Sequence, residues 1–232
     1  MDNSVRVAIL DDHQSIIDGF IYRLTPAKDI QVVASAAFGD DLLPMLRNND
    51  PIHVLLLDMS VPTSLENPNQ YPMIFALRGL LKEFPNLKVI VISTYKERGL
   101  VKAAISHGVR GYIYKDDQAS IQQLARIVMI VSAGGNYFSS GAYFDIVDEK
   151  TKRNLTSRQM EALTVANAYP DDSTEDLARR LKISGSTLRN ILSSAYARLG
   201  VRTRSAAIEK VRQLGIVPSP KKPSLNDEGN IN

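Results

Sequence analysis

Polar residues stand where an otherwise apolar chain stops. Asp11 and Asp12 follow VRVAIL, Asp58 follows HVLLL, Ser93 follows VIVI, and Lys115 follows GYIY. Short runs rich in Val, Ile and Leu and closed by a turn read as strands buried on both faces of a parallel sheet. In an open α/β sheet, ligands bind in the crevice beyond the carboxyl ends of the strands, so these residues should meet there. Three carboxylates brought together repel one another unless a counter-ion joins them. A divalent cation with all-oxygen ligands, Mg2+ above all, resolves the repulsion. A hydroxyl and an ammonium at the same crevice suit a phosphoryl group, with Lys115 as a point charge and Ser93 as a hydrogen-bond donor. Taken alone, Asp11-Asp12 reads equally well as a solvated turn. The other strand ends decide against that reading.

The elements that must position these residues follow from hydrophobic spacing. Strands are expected at Val5–Leu10, Ile30–Ala36, His53–Leu57, Lys88–Ile92 and Gly111–Tyr114. Between them, helices are expected at Ser15–Leu24, Asp41–Arg47, Met73–Phe84 and Leu100–Ser106, with a long apolar helix at Ser120–Ala133. Strands alternating with helices give an α/β flavodoxin-like (βα)5 unit with a doubly wound parallel sheet. The following AGGNYFSS reads as a turn-forming stretch that closes the last helix.

A length of 232 residues suits two domains, and 44% apolar with 23% charged residues is ordinary for a soluble globular protein. No apolar run approaches the length of a membrane span. The start MDNSVRVAILDD has no apolar h-region, which predicts a cytoplasmic protein. The absence of cysteine excludes disulfides, thiolate zinc sites and a cysteine nucleophile, and three scattered histidines argue against a histidine-based metal site. The net charge of +3 hides an asymmetry. Residues 1–149 carry 13 Lys+Arg against 17 Asp+Glu, net −4, and residues 150–232 carry 15 against 8, net +7. The acidic half suggests a cation, and the basic half a polyanion such as nucleic acid.

In the basic half, Thr156 with Gln159 three residues on is a capping-box pattern that opens a helix carrying Met160, Leu163, Thr164 and Ala166 to Ala168. Ser173 with Asp176 repeats the pattern, and Ser184 caps a third helix, Thr187–Leu199, that stops at Gly200. A fourth, Arg204–Leu214, places Ala207, Ile208, Val211 and Leu214 on one face. Four short helices with a tight ISGS turn between the second and third make a helix-turn-helix, whose third helix should enter DNA.

Asp11-Asp12, Asp58, Ser93 and Lys115, with Tyr112 three residues before the lysine, resemble the receiver domain of two-component response regulators. The resemblance implies that Asp58 is the phosphoacceptor, that Asp12, Asp58 and the Ser60 carbonyl hold Mg2+, and that Asp11 assists through water. Ser93 and Lys115 would contact the phosphoryl group, and Tyr112 would swing inward with Ser93 as the switch. The chain departs from the family between Pro62 and Met73, where TSLENPNQYP (residues 63–72) is longer than the usual Gly-containing turn and reads as a surface loop. Leu155–Leu214 resembles the LuxR-type output domain of NarL/FixJ-class response regulators. At that family's groove-facing positions stand Arg189, Asn190 and Ser193. Thr187, Ser194 and Arg198 are candidates for phosphate contacts, as are Ser186 and Lys182 near the backbone. The loop around Pro170 is longer than usual for the family, and Ile191 and Ala197 stand where polar or basic residues are common.

These expectations divide the chain into a receiver at 1–138, a linker at 139–153 that can carry a short helix, a DNA-binding domain at 154–216 and a disordered tail at 217–232. They describe a transcription regulator, not an enzyme. A sensor histidine kinase or small-molecule phosphodonor would phosphorylate Asp58 with Mg2+, and phosphorylation would promote a homodimer on promoter half-sites. One rival is an atypical regulator whose second domain binds a protein partner. Another is a Mg2+ phosphohydrolase, which is disfavoured because no second acid or water-activating base follows Asp58 closely.

Overall fold

The apolar runs pair side by side, each burying alternate residues on opposite faces of one sheet. A computed structural model describes residues 4–49, 51–96, 98–142, 155–213 and 217. Strands β1 (Val5–Leu10), β2 (Ile30–Ala36), β3 (Val54–Leu57), β4 (Lys88–Ser93), β5 (Gly111–Tyr114) and β6 (Tyr137–Phe138) form a six-stranded sheet in the order β2-β1-β3-β4-β5-β6, with every pair parallel. Period-two alternation sends Val7, Ile9, Leu56 and Ile90 to one face, and Ala8, Leu10, Leu57 and Val91 to the other. Helices α1 (Gln14–Leu24) and α6 (Leu124–Ser132) cover the first face; α2 (Leu42–Asn48), α3 (Met73–Glu83) and α4 (Arg98–Ser106) cover the second. The expected doubly wound parallel architecture is therefore present.

Two expectations are corrected. Tyr137-Phe138, read as part of a turn, adds a sixth strand, because Tyr137 N–H donates to the Arg110 carbonyl at 3.0 Å and Ser139 N–H to the Tyr112 carbonyl at 3.0 Å. Two residues cannot display a period, so tertiary pairing decides the state. The single helix expected at Ser120–Ala133 is two. A short α5 (Gln118–Gln122), capped by the Asp117 carboxylate on Ser120 N–H, is joined to α6 at Gln123 through one tightened turn in which Gln123 N–H reaches back three residues to Ser120.

The C-terminal helices are α7 (Ser157–Ala168), α8 (Thr174–Arg180), α9 (Gly185–Leu199) and α10 (Arg204–Gln213). Their ends match the sequence signals: the Thr156/Gln159 capping box is formed reciprocally, Ser173 and Ser184 accept from Asp176 and Thr187 amides, and Gly200 closes α9 at φ +71°. Leu188, Leu192 and Ala195 are buried as a stripe, with Leu199 partly buried at its end. Residues 143–154 lie outside the described residues, as do 218–232, so most of the expected linker and tail cannot be compared. Val217, placed at the start of the tail, is buried.

The C-terminal helices do not stand apart from the sheet unit. Every residue of α7 from Gln159 to Ala168 is buried, because α7 packs on its own bundle and also on α3 and α4. Such double coverage buries even its polar residues Gln159, Glu161, Thr164 and Asn167. Its one buried acid, Glu161, lies beside Arg158 on its own turn, 3.0 Å from His107 Nε2 after α4 and 3.9 Å from Arg78 on α3. Burial raises the Glu161 carboxyl, but His107 and the two guanidiniums outweigh it and leave the group below its ordinary value. The Ser106 and Ser157 hydroxyls meet across the same seam at 3.0 Å.

Met160 is fully buried in the core shared by both units. Met160→Ala should cost about 2–5 kcal/mol. Urea titration is the check, with one cooperative transition expected if sheet and bundle unfold together.

Candidate functional site

Asp58 leaves the carboxyl end of β3, where its N–H donates to the Leu10 carbonyl of β1 at 2.8 Å, so the two strand ends and their acids are locked in register. Asp11 and Asp58 are buried, 1% and 4% exposed. Lys115, arriving from β5, donates its ammonium to Asp11 Oδ2 at 2.6 Å and to Asp58 Oδ2 at 2.8 Å. Asp11 Oδ1 accepts from the His13 amide at 3.0 Å, and Asp58 Oδ1 from the Ser60 amide at 3.0 Å. His13 Nδ1 lies 2.9 Å from Asp12 Oδ1, and ligand atoms of Asp11, Asp12 and His13 lie within 4.8 Å of one another.

The electrostatics follow from this crowding. Burial raises the Asp58 carboxyl above its ordinary value; the Lys115 charge and hydrogen bond oppose that, and the Asp11 charge adds to it. For Lys115 burial works downward, but Asp58 and Asp11 prevail and the ammonium is held above its ordinary value. Asp11 and Asp58 share one ammonium, and Asp12 stands beside Asp11, so the acids outnumber the cation that meets them. The acidic pocket thus fits a cation held by oxygens.

Ser93 and Tyr112 reach the site through a residue the sequence did not single out. Ser93 Oγ accepts from Tyr95 N–H at 3.0 Å, the Tyr112 hydroxyl donates to the Tyr95 carbonyl at 3.3 Å, and the Tyr95 hydroxyl lies 3.2 Å from Ser60 Oγ. Tyr112 is fully buried, its ring edge-on to that of Tyr114 at 5.8 Å. Tyr95 and His13 are the functional neighbours missed. His13 was legible as the third residue of Asp-Asp-His, whereas nothing in the local pattern marks Tyr95.

The profile of the family described as response regulator receiver domain matches residues 7–126. The chain belongs to the response regulator receiver family. Across most of its length this receiver protein is similar to the transcriptional regulatory protein MctR of Rhizobium johnstonii, at 27% identity over 92% of this chain and 95% of that one. It is also similar to the transcriptional regulatory protein DesR of Bacillus subtilis, at 26% identity over 91% and 98%. Its fold is that of RcsB from Salmonella enterica serovar Typhimurium, solved bound to a promoter with a phosphomimetic, at TM-score 0.66 and 19% identity over 90% of this chain and 98% of that one.

On the third C-terminal helix of this receiver protein, Thr187, Arg189, Asn190, Ser193, Ser194 and Arg198 are exposed, as are Lys182 and Ser186 before and at its start. Not all are disengaged. Arg189 Nη1 pairs with Glu175 at 2.7 Å, and Ser194 Oγ accepts from Gln159 Nε2 at 2.9 Å. Thr187 and Ser186 share hydroxyl contacts with the capping Ser184 at 2.7 and 2.9 Å. Lys182 takes a left-handed backbone, φ +54°, in the turn between α8 and α9.

The raised Asp58 carboxyl carries a linkage consequence. A carboxyl held above its unfolded value subtracts stability as pH rises through that range, in full once both values are passed. Asp58→Asn should therefore raise the unfolding temperature at neutral pH, and its advantage over the native chain should shrink as pH falls below the ordinary carboxylate range. Thermal melts across pH test the sign.

Proposed function

We propose that this protein is a DNA-binding transcriptional response regulator of the cytoplasm, switched by phosphorylation of Asp58. The observation that carries the reading is the Lys115 ammonium shared between Asp11 and Asp58 at the carboxyl edge of the sheet. An Asp58 oxygen attacks phosphorus of a kinase phosphohistidine or a small acyl phosphate. The bond from phosphorus to the donor nitrogen or oxygen breaks, its electron pair leaves with the donor, and an aspartyl phosphate forms. Lys115 then releases part of its hold on Asp58 to face the new phosphoryl oxygens. Asp12, Asp58 and the Ser60 carbonyl would hold Mg2+, with Asp11 acting through water; the cation supplies charge neutralisation for the incoming phosphoryl group. Ser93 donates to that group, and a shift of its hydroxyl is felt at Tyr95, whose N–H it accepts, and through the Tyr95 carbonyl at the Tyr112 hydroxyl. The site serves to hold a phosphoryl group as a signal, not to turn over a substrate.

The DNA reading rests on the exposed triad Arg189, Asn190 and Ser193 on α9, on the net +7 of residues 150–232, and on the similarity to proteins named transcriptional regulators. Arg and Asn read guanine and adenine edges bidentately in the major groove. Two copies on half-sites gain affinity from linkage, so phosphorylation acts by favouring the homodimer.

Incubation with acetyl phosphate and Mg2+ should add one phosphoryl mass, and Asp58→Asn should abolish it. Equal labelling of that variant defeats the assignment. Arg189→Ala should cost about 1–3 kcal/mol at a selected site and relax base preference there, while Lys182→Ala should weaken all sequences alike and flatten the salt dependence by about one counter-ion. Binding isotherms at several salt concentrations separate the two.

A further inference from the structure

The segment after the acceptor, Pro62 to Pro72, is a built hairpin pinned to the turn that follows Asp58. Tyr71 N–H donates to Val61 O at 3.0 Å, Thr63 N–H to Asn69 O at 2.8 Å, and Pro62 bridges Gln70. Its outer edge is held as well: Gly39 N–H donates to Pro62 O at 2.9 Å and Asp40 N–H to Thr63 O at 3.0 Å. Gly39 is required here, since a Cβ would fall 2.0 Å from the Tyr71 ring. Burial, with Asp40 and Tyr169 nearby, pushes the Tyr71 hydroxyl up to about 12.

One side chain of this hairpin reaches the acceptor turn itself. Gln70 Nε2 donates to the Met59 carbonyl, the peptide between Asp58 and Ser60. That donor leaves Gln70 Oε1 buried, with no hydrogen-bond partner among the described residues. Gln70 also lines a cavity of about 10 Å3, room for one water, together with Met59, Tyr71 and Tyr95 from the receiver and Thr164 and Asn167 from α7.

We propose that Gln70 is a positioning residue for the Asp58 site: by holding the Met59 carbonyl it fixes the Met59–Ser60 peptide, whose N–H holds the Asp58 carboxylate, and with it the cation affinity of the pocket. The inference rests on the reading of Asp58 as a Mg2+-dependent acceptor. The N–H of that same peptide, on Ser60, donates to Asp58 Oδ1 at 3.0 Å, so a rotated peptide would release the carboxylate from the orientation in which it meets a cation.

The test uses the full chain with Gln70→Glu, which keeps the shape but opposes one acceptor to another, and Gln70→Met, which keeps the volume but removes the bond. Calorimetric titration with MgCl2 in the absence of phosphodonor should show the dissociation constant raised about fivefold or more in both. With acetyl phosphate, the half-saturating Mg2+ concentration should rise in parallel, while the labelling rate at saturating Mg2+ stays within about twofold of the native chain. Equal Mg2+ affinity in either folded variant overturns the proposal, as does a loss confined to the saturating rate. A native chain that takes no label at Asp58 overturns the acceptor reading and this inference together; a labelled native chain with unmoved variants overturns this inference alone.

Discussion

Lys115 brings its ammonium to within 2.6 Å of Asp11 and 2.8 Å of Asp58, and without that charge two buried carboxylates at adjoining strand ends would be driven to protonate. The register of β1 against β3, the placement of β5 two strands away and the turn that aims each side chain all converge on this contact. One ammonium meets two acids here, with Asp12 beside Asp11 as a third. The cost of assembling it is visible in Asp58, whose carboxyl remains raised despite its partner.

The second consequence concerns α7. Because this helix is buried between its own bundle and α3 and α4, receiver and output domain share one apolar core and meet through Glu161, Arg78 and His107. Separating them would expose apolar surface and strip the partners from a buried acid, so any signal that does so must bind the separated state better by a comparable free energy. Yet the docked state leaves Arg189, Asn190 and Ser193 exposed. Docking in this arrangement therefore does not cover α9. A route through assembly of copies needs no such covering.

The loop after Asp58 shows how an insertion becomes part of a site. Long surface loops cost little in chain entropy, so length alone carries no information about role. Here the backbone of residues 61–63 is paired to 69–71 and to Gly39-Asp40, and the loop's inner edge abuts both the acceptor turn and α7. What looks like spare chain is a brace between the phosphorylation site and the output helix.

Strand ends and helix caps were legible in the sequence because they are local: Asp58 closes an apolar run, Thr156 and Gln159 sit at capping-box spacing, and Leu188, Leu192 and Ala195 repeat at helical intervals. The chemistry of the pocket was legible for the same reason, since charge at the end of a buried strand must have a purpose or a partner. Tertiary structure decided what has no period. It made Tyr137-Phe138 a strand, because two residues take their state from the edge of β5. It placed Tyr95 between Ser93, Tyr112 and Ser60, and it gave Gln70 the Met59 carbonyl. It buried Glu161 on a helix whose cap the sequence marked without saying what would cover it. Each of these depends on contacts between residues distant along the chain, and side-chain spacing along one element carries no record of which other element will cover it.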